Sequence, residues 1–283
     1  MNTAPREGGP IGCRYTGPLP TIEVITLLVL GFAAGILGGL LGIGGSILMI
    51  PVLTLVFRHD QHLSQAAAMI VNVFVTSPAL LRHQGADAVE WKAVRRMLPA
   101  GLVCIVVGVE VSNELDGEVL MKLFAVFLLY VVFVNVHRLI GRKGRDDARS
   151  PGTGWVRCSI VGCITGFAAG LLGIGGGILT VPLLQRVCHL PLRRAIASSA
   201  AIMVLTAIVG AIRKNWVLDR LVDASGQPLD PYESLLIAAF LAPTAIVGGH
   251  IGAGLTHSLP LAWVRIALTV VLALASAKLF GLF

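Results

Sequence analysis

The stretch "LGIGGSILMIP" runs from Leu41 to Pro51, and a near copy, "LGIGGGILTVP", runs from Leu172 to Pro182. Between positions 35 and 51, 11 of 17 residues are identical to those 131 positions further along the chain. The same register continues to Arg82, which pairs with Arg213, before an insertion in the second half changes the offset. The chain is therefore an internal duplication with one glycine-rich phrase in each half.

The composition places this duplicated phrase in a membrane. Of the 283 residues, 55% are hydrophobic and 13% are charged, and the mean hydropathy is +0.84. A soluble globular domain has about 25% charged residues. Residues 24–57 contain no Asp, Glu, Lys, Arg or His. These features predict an all-α, polytopic membrane protein.

The apolar runs between charges predict about eight transmembrane helices, four in each half. They cover residues 22–57, 65–82, 95–112, 119–138, 156–185, 194–212, 233–256 and 261–281. The predicted organisation is an N-terminal tail (1–21), a first four-helix repeat (22–140), a polar linker (141–154) and a second four-helix repeat (155–283). An even number of spans in each half predicts that the halves insert the same way up, related by an axis along the membrane normal.

The net charge of +7 indicates orientation in a membrane rather than a nucleic-acid partner, because basic residues concentrate in cytoplasmic loops. With eight spans, most Lys and Arg residues fall on the side of the tail and the linker. We therefore expect a plasma (inner) membrane protein with cytoplasmic N- and C-termini. Arg186, Arg193 and Arg194 fall on the outer side, which leaves open that the span before them is re-entrant.

The glycines predict a break in the first helix of each half. A continuous helix through residues 24–57 would be about 50 Å long, against a hydrocarbon core of about 30 Å. Each glycine weakens a helix interior by about 1 kcal/mol relative to alanine. The N–H groups freed at a break, with the helix dipole, bind an anion without a charged side chain. The candidate substrate-binding positions are Gly42, Gly44, Gly45, Ser46, Gly173, Gly175, Gly176 and Gly177.

Polar side chains near the phrases complete the candidate site. Asn72 follows the first phrase, and Ser198 and Ser199 follow the second. Uncharged donors at mid-membrane suit an anionic substrate. The glycines upstream of each phrase, spaced four residues apart, are predicted to pack helices closely. The sequence contains no cofactor motif, no metal-ligand spacing and no CxxC pair, and it gives no indication of oligomeric state.

Two copies of a GLLGIGGG-type phrase, each opening one half of a chain of this size, resemble the TauE/SafE sulfite exporter family, also called the toluene sulfonate uptake permease family. The resemblance covers nearly the whole chain after Thr21. It implies a plasma-membrane transporter of small sulfur-containing anions such as sulfite or sulfonates. The family pattern places a hydroxyl pair after each phrase; Ser198 and Ser199 match it, whereas Ala67 and Ala68 stand in the first half.

The sequence thus predicts a transporter rather than an enzyme, with a small anionic substrate and the lipid bilayer as its partners. Export is the expected direction, because expelling one anionic charge from a cell interior at about −100 mV gains about 2.3 kcal/mol. Three alternatives stay open: a proton-coupled uptake permease for another small anion, an intramembrane serine protease using Ser46 and His250, and a membrane scaffold. Gly177 stands at the position that matches Ser46, which weakens the protease hypothesis.

Overall fold

The computed structural model describes residues 21–85, 87–140, 154–223, 226–255 and 261–280, so the predicted tail and linker lie almost entirely outside the described residues. Ten α-helices fill most of the described chain, which confirms the all-α prediction. They are α1 (Thr21–Leu41), α2 (Ser46–Leu55), α3 (Gln61–Gly85), α4 (Trp91–Glu114), α5 (Gly117–Ile140), α6 (Trp155–Leu172), α7 (Gly177–Val187), α8 (Leu192–Val217), α9 (Pro231–Leu255) and α10 (Leu261–Leu279).

Several of these helices are suited to cross a membrane. Within the described residues, six segments are long and apolar enough: α1, α3, α6, α9, Gly117–His137 of α5, and Leu192–Arg220, which contains α8. Large apolar side chains such as Val29, Leu81 and Phe133 are exposed on the outside of the bundle, where lipid would cover them. The chain is therefore a multi-pass membrane protein.

Both predicted helix breaks are present. One break (residues 42–45) separates α1 from α2, and the other (residues 173–176) separates α6 from α7. The first and third residue of each break have positive φ, which costs a residue with a side chain about 1–2 kcal/mol. The angles are 65° at Gly42, 77° at Gly44, 72° at Gly173 and 68° at Gly175. The duplication in sequence thus extends to the backbone geometry at these two positions, whereas the fourth positions differ, with φ −85° at Gly45 and 80° at Gly176.

The glycine stripes upstream of the breaks pack helices from different halves together. Gly31 of α1 contacts Leu241 of α9, and Gly39 contacts Gly249. Because both numbers increase, α1 and α9 run parallel. The stripe of α6 packs in the same way against α4, again with parallel helices. The predicted close packing at these glycines is confirmed.

The contacts of α3 overturn the predicted topology. Val75 lies against Gly249, and Arg82 lies against Gly254, so α3 also runs parallel to α9. Since α1 and α3 both run parallel to α9, they point the same way, and the chain must return to its starting end between them. Helix α2 is that return segment. The expectation that the halves insert the same way up is wrong, because it treats α1 and α2 as one span.

The second half has the same arrangement. Helix α4 runs parallel to α8 as well as to α6, with Glu90 N–H donating to Ser198 Oγ at 2.9 Å near one end. Near the other end, Lys214 Nζ donates to Asn113 Oδ1 at 2.8 Å. Helices α6 and α8 therefore point the same way, and α7 is the return segment between them.

The ends of the α6–α7 hairpin lie side by side. Cys158 in the first turn of α6 has its Sγ 3.8 Å from Sγ of Cys188, which directly follows α7. Helices α3 and α8 cross in antiparallel fashion, since His62 contacts Lys214 while Met69 lies against Gly210.

These directions relate the halves by an axis in the membrane plane. We interpret α1–α5 and α6–α10 as inverted repeats, each with a re-entrant hairpin and three crossing helices. The end of the bundle where α1, α3 and α9 begin is called the near end below, and the opposite end is called the far end.

Candidate functional site

The two helix breaks meet in the middle of the bundle. A Cβ atom on Gly177 would stand 2.6 Å from the Gly42 carbonyl oxygen and 2.8 Å from Cα of Ile43. Every residue in the ranges 42–46 and 173–177 is buried. The structure thus joins the two sets of predicted positions through Gly42 and Gly177, and all eight positions are buried. We call this meeting point the central site.

Asn72, at the middle of α3, lies between the two breaks. Its Oδ1 accepts hydrogen bonds from the backbone N–H groups of Gly45 at 3.1 Å and Ser46 at 3.2 Å, at the start of α2. Its Nδ2 is buried without a hydrogen-bond partner in the described structure and lies 2.9 Å from where a Cβ of Gly175 would stand. An unpartnered buried donor carries a free-energy cost. Asn72 therefore offers a donor toward the second break.

Met203 of α8 stands at the position that matches Asn72 in the duplication. A Cβ on Gly44 would lie 2.9 Å from Met203 Cε, and one on Gly175 would lie 3.1 Å from its Sδ. A thioether sulfur is only a weak acceptor. The start of α7 therefore lacks the amide oxygen that Asn72 supplies to α2, and its cap residue Gly176 provides no side chain either. The positive end of the 11-residue helix α7 faces the central site.

The two predicted serines, Ser198 and Ser199, have different hydrogen-bond partners. Ser199 Oγ donates to the Gly42 carbonyl at 3.0 Å and lies 3.5 Å from the Gly177 carbonyl, so it ties the two breaks together. Ser198 points away and accepts from Glu90 N–H at the start of α4. The structure brings Ser199, but not Ser198, to the central site.

Gln65 and Ile196 are contacts that the sequence analysis missed. Gln65 of α3 packs on Gly173, with its Cγ 2.7 Å from where a Cβ would stand. Ile196 of α8 packs on Gly42 with its Cγ2 at 2.8 Å. These two residues are 131 positions apart, so the duplication register could have identified both from one of them. Each break therefore rests on a helix of the other half.

An apolar pocket of about 50 Å³ adjoins the breaks. Ile43 and Ile178 line it on the side of the central site, and its polar side chains are Tyr130 and Asn135. Within the described ranges, no group of three or more His, Cys, Asp or Glu residues could hold a metal ion. The donors that converge on the central site are backbone amides, the Asn72 carboxamide and the Ser46 hydroxyl, all uncharged.

The proposed protease pair is not assembled. Ser46 Oγ lies buried at the central site. His250 lies at the far end, with its Nε2 3.2 Å from Arg82 Nη1. A nucleophile and its base must lie within hydrogen-bond reach. The two residues occupy separate places in this structure.

A helical membrane bundle with two buried re-entrant breaks facing each other has the architecture of a membrane transporter. The sequence model of the family described as "Sulfite exporter TauE/SafE" matches residues 27–279. The chain belongs to this family.

Similar proteins carry the description "probable membrane transporter protein". MamO of Paramagnetospirillum magneticum is 26% identical over 88% of this chain and 43% of its own length, so the chain spans less than half of that relative. A protein of Methanocaldococcus jannaschii is 34% identical over 66% of this chain and 70% of its own length. YunE of Bacillus subtilis is 24% identical over 91% of this chain and 97% of its own. No solved structure matches the chain. These names indicate a transporter rather than an enzyme.

Proposed function

We propose that the chain carries a small sulfur-containing anion, sulfite or an organosulfonate, and holds it at the central site. The observation that carries the proposal is Asn72 Nδ2, a buried donor with no partner among the described residues, beside a start of α7 that its own cap residue does not cap. A helix N-terminus attracts anions through its free N–H groups and its dipole. The donor and the helix end together suit a small tetrahedral or pyramidal oxyanion.

Uncharged donors suit a site that must release its substrate as well as bind it. A transport site must bind its substrate strongly enough for entry and weakly enough for release. Backbone amides and a carboxamide meet this requirement better than a buried lysine or arginine, which would form an ion pair with the anion. The central site is buried, so one or both hairpins must move for the anion to reach it.

The direction we propose is export. A cell interior at about −100 mV favours the exit of one anionic charge by about 2.3 kcal/mol, without any coupled ion. Proton-coupled uptake remains the second candidate, and the buried Lys214 of α8 is the observation that favours it.

We propose an orientation opposite to the one predicted from eight spans. Basic residues among the described residues concentrate at the far end: Arg82, Lys92, Arg95, Arg96, Arg157, Arg186, Arg193 and Arg194. The segment 141–154, which joins two helices that end and begin there, contains four more. The near end has fewer: Arg58, Lys122, Arg213, Arg220 and Lys278 outside the bundle interior. Residues 1–20, which precede α1 in the sequence, contain two more. Because cytoplasmic loops are rich in Lys and Arg, we assign the far end to the cytoplasm.

Cysteine labelling on intact cells tests this orientation. In a variant whose native cysteines are replaced by serine, Arg220→Cys should react with a membrane-impermeant maleimide, and Arg193→Cys should react only after permeabilisation. Both arginines are exposed. Labelling of Arg193→Cys alone on intact cells would contradict this orientation and support cytoplasmic N- and C-termini.

Flux into proteoliposomes tests the transport proposal. The purified chain should take up labelled sulfite and methanesulfonate when a potential, positive inside, is imposed. The double variant Gly44→Leu, Gly175→Leu should lose this uptake, because both positions have positive φ and both side chains would collide with Asn72. Gly85→Leu is the matched control, since no described residue beyond its chain neighbours lies within 4 Å of a Cβ there. Uptake by the double variant at the wild-type rate would exclude the central site; no uptake by the wild type would favour a scaffold.

A further inference from the structure

Lys214, near the end of α8, is fully buried, a rare position for lysine. Its Nζ lies 3.0 Å from His62 Nδ1, 2.9 Å from Ser112 Oγ and 2.8 Å from Asn113 Oδ1. In the part of the chain that the structure describes, no Asp or Glu forms an ion pair with it. A buried charge without an ion-pair partner is costly. We call Lys214, His62, Ser112 and Asn113 the lysine cluster. Because no ion pair with a described residue balances the charge of Lys214, loss of its proton relieves this cost.

The hydrogen bonds around Lys214 fit the protonated form of its amino group. His62 Nε2 lies 3.0 Å from the Leu115 carbonyl oxygen, which can only accept, so Nε2 carries the hydrogen. In the neutral ring, Nδ1 is then an acceptor. An ammonium group has three N–H donors, and Lys214 faces three acceptors in His62, Ser112 and Asn113. The arrangement is complete when Nζ holds its proton.

The charged groups nearby act on Lys214 from a distance. They are Asp60 before α3, Glu110 on α4, Arg213 on α8 and, beyond Asp60, Asp223. Glu110 is paired with Arg213, and Asp60 Oδ1 accepts from the backbone N–H of His62 at 2.7 Å. Burial raises the pKa of the Asp60 carboxyl, which lies outside the membrane-spanning helices. These groups influence the charge state of Lys214 electrostatically, but none of them forms an ion pair with it.

A hydrogen-bond chain connects the lysine cluster to the central site. Ser112 Oγ, which accepts from Lys214, donates to Gln65 Oε1 at 3.1 Å. Gln65 in turn packs on Gly173 and donates from Nε2 to the Leu171 carbonyl at 3.3 Å. If Nζ loses its proton, it gains a lone pair that accepts the Ser112 hydroxyl, and Gln65 Oε1 loses its donor. The proton on Lys214 thus affects the residue that supports the second break.

We propose that Lys214, held by His62, Ser112 and Asn113, is a proton-binding site that couples proton movement to anion transport. The step is simple: one proton binds to the Nζ lone pair and leaves from it, and no other bond is made or broken. The inference rests on one part of the proposed function, the transport of a small anion through the central site, and it adds a coupled proton whichever direction the anion moves. It implies that the second hairpin responds to the charge of Lys214.

Proteoliposomes with a trapped pH dye test the coupling. Methanesulfonate is the probe, because its charge does not change with pH, and the membrane potential is clamped at zero. A methanesulfonate gradient should drive protons through the wild type. Lys214→Met should still carry methanesulfonate, with at least a tenfold lower ratio of protons to anions and a flat dependence of flux on pH. Lys122→Met is the control, because Lys122 is exposed and pairs with Glu118.

Each outcome decides a different point. Methanesulfonate flux without proton movement in the wild type overturns the proton site and leaves the proposed function standing. Proton movement retained by Lys214→Met would show that another group binds the coupled proton, which overturns the proposal for Lys214. No flux of methanesulfonate or sulfite in the wild type overturns both. If the methionine variant does not fold, Lys214→Arg replaces it; its permanent charge should block net proton movement, and proton flux equal to wild type would exclude the site.

Discussion

The change Asn72→Asp separates the two roles of this side chain at the central site. An aspartate keeps an oxygen where Asn72 Oδ1 accepts from Gly45 at 3.1 Å and from Ser46 at 3.2 Å. Hydrogen bonds to a charged acceptor are stronger than neutral ones. The Nδ2 donor beside Gly175 becomes a second carboxylate oxygen. The variant therefore carries its own anion where we propose that the substrate binds.

The structure sets the expected magnitudes. Loss of one hydrogen bond to a charged substrate costs about 1.5–3 kcal/mol, which corresponds to about a ten- to hundredfold weaker affinity. Repulsion between the carboxylate and the substrate adds to this loss. Asn72→Leu removes the acceptor of two buried N–H groups, and each costs about 1–3 kcal/mol when unsatisfied. The leucine variant should therefore lose stability as well as flux. The aspartate variant keeps the acceptor but buries an unpaired carboxylate, so its loss of stability should diminish at low pH, where the carboxyl is protonated.

Two measurements check this prediction: thermal unfolding in detergent, and flux of labelled sulfite and methanesulfonate in proteoliposomes. Ser77→Ala on the same helix is the control, because its hydroxyl donates to the Val73 carbonyl within α3 at 2.6 Å. Wild-type flux in Asn72→Asp would refute the role of the Nδ2 donor. At low pH, where the carboxyl of Asn72→Asp is protonated, its unfolding at the temperature of Asn72→Leu would refute the role of Oδ1 as acceptor for α2.

Three further changes have defined outcomes. Gly175→Ala should unfold at a lower temperature than Gly226→Ala, because both have positive φ but only Gly175 adds overpacking of about 1–3 kcal/mol. Mild oxidation should join Cys158 to Cys188, as detected by peptide mapping; a continuous helix would hold them about 45 Å apart, so failure to cross-link favours one span. Ser199→Ala should cost about 1 kcal/mol in thermal unfolding, and an unchanged value would contradict its bond between the breaks.

The sequence predicted features that depend on local chemistry. The breaks at residues 42–45 and 173–176 follow from glycines that adopt backbone angles unfavourable to other residues. The close helix packing follows from a spacing of four between small residues. In both cases the residue types alone determine the outcome.

Helix direction depends on contacts that hydropathy does not record. Residues 24–57 form one apolar run, and nothing in that run distinguishes a single long span from a hairpin. The return of α2 depends on its packing against α3 and on the two backbone hydrogen bonds that Asn72 Oδ1 accepts from its start. The misfit of Arg186, Arg193 and Arg194 was the sequence signal of the hairpin, because a return before them moves these residues to the far end.

Adjacent residues on a helix face different directions, which explains the division of the predicted hydroxyl pair. Ser198 and Ser199 lie about 100° apart around α8, so only one can face the central site. Met203 was missed because a methionine in an apolar helix resembles any core residue. The duplication register, which pairs it with Asn72, would have identified it.

The interlocked glycine stripes also affect how the chain is synthesised. Gly31 of α1 contacts Leu241 of α9, which is translated 210 residues later. At about 5–20 residues per second, α1 waits about 10–40 s in the membrane before its partner exists. During that time its glycine face must be shielded by lipid, by the insertion machinery or by a chaperone. Expression of the two halves as separate polypeptides should yield stable protein only when both are made together, because each half supplies the packing surface that the other needs.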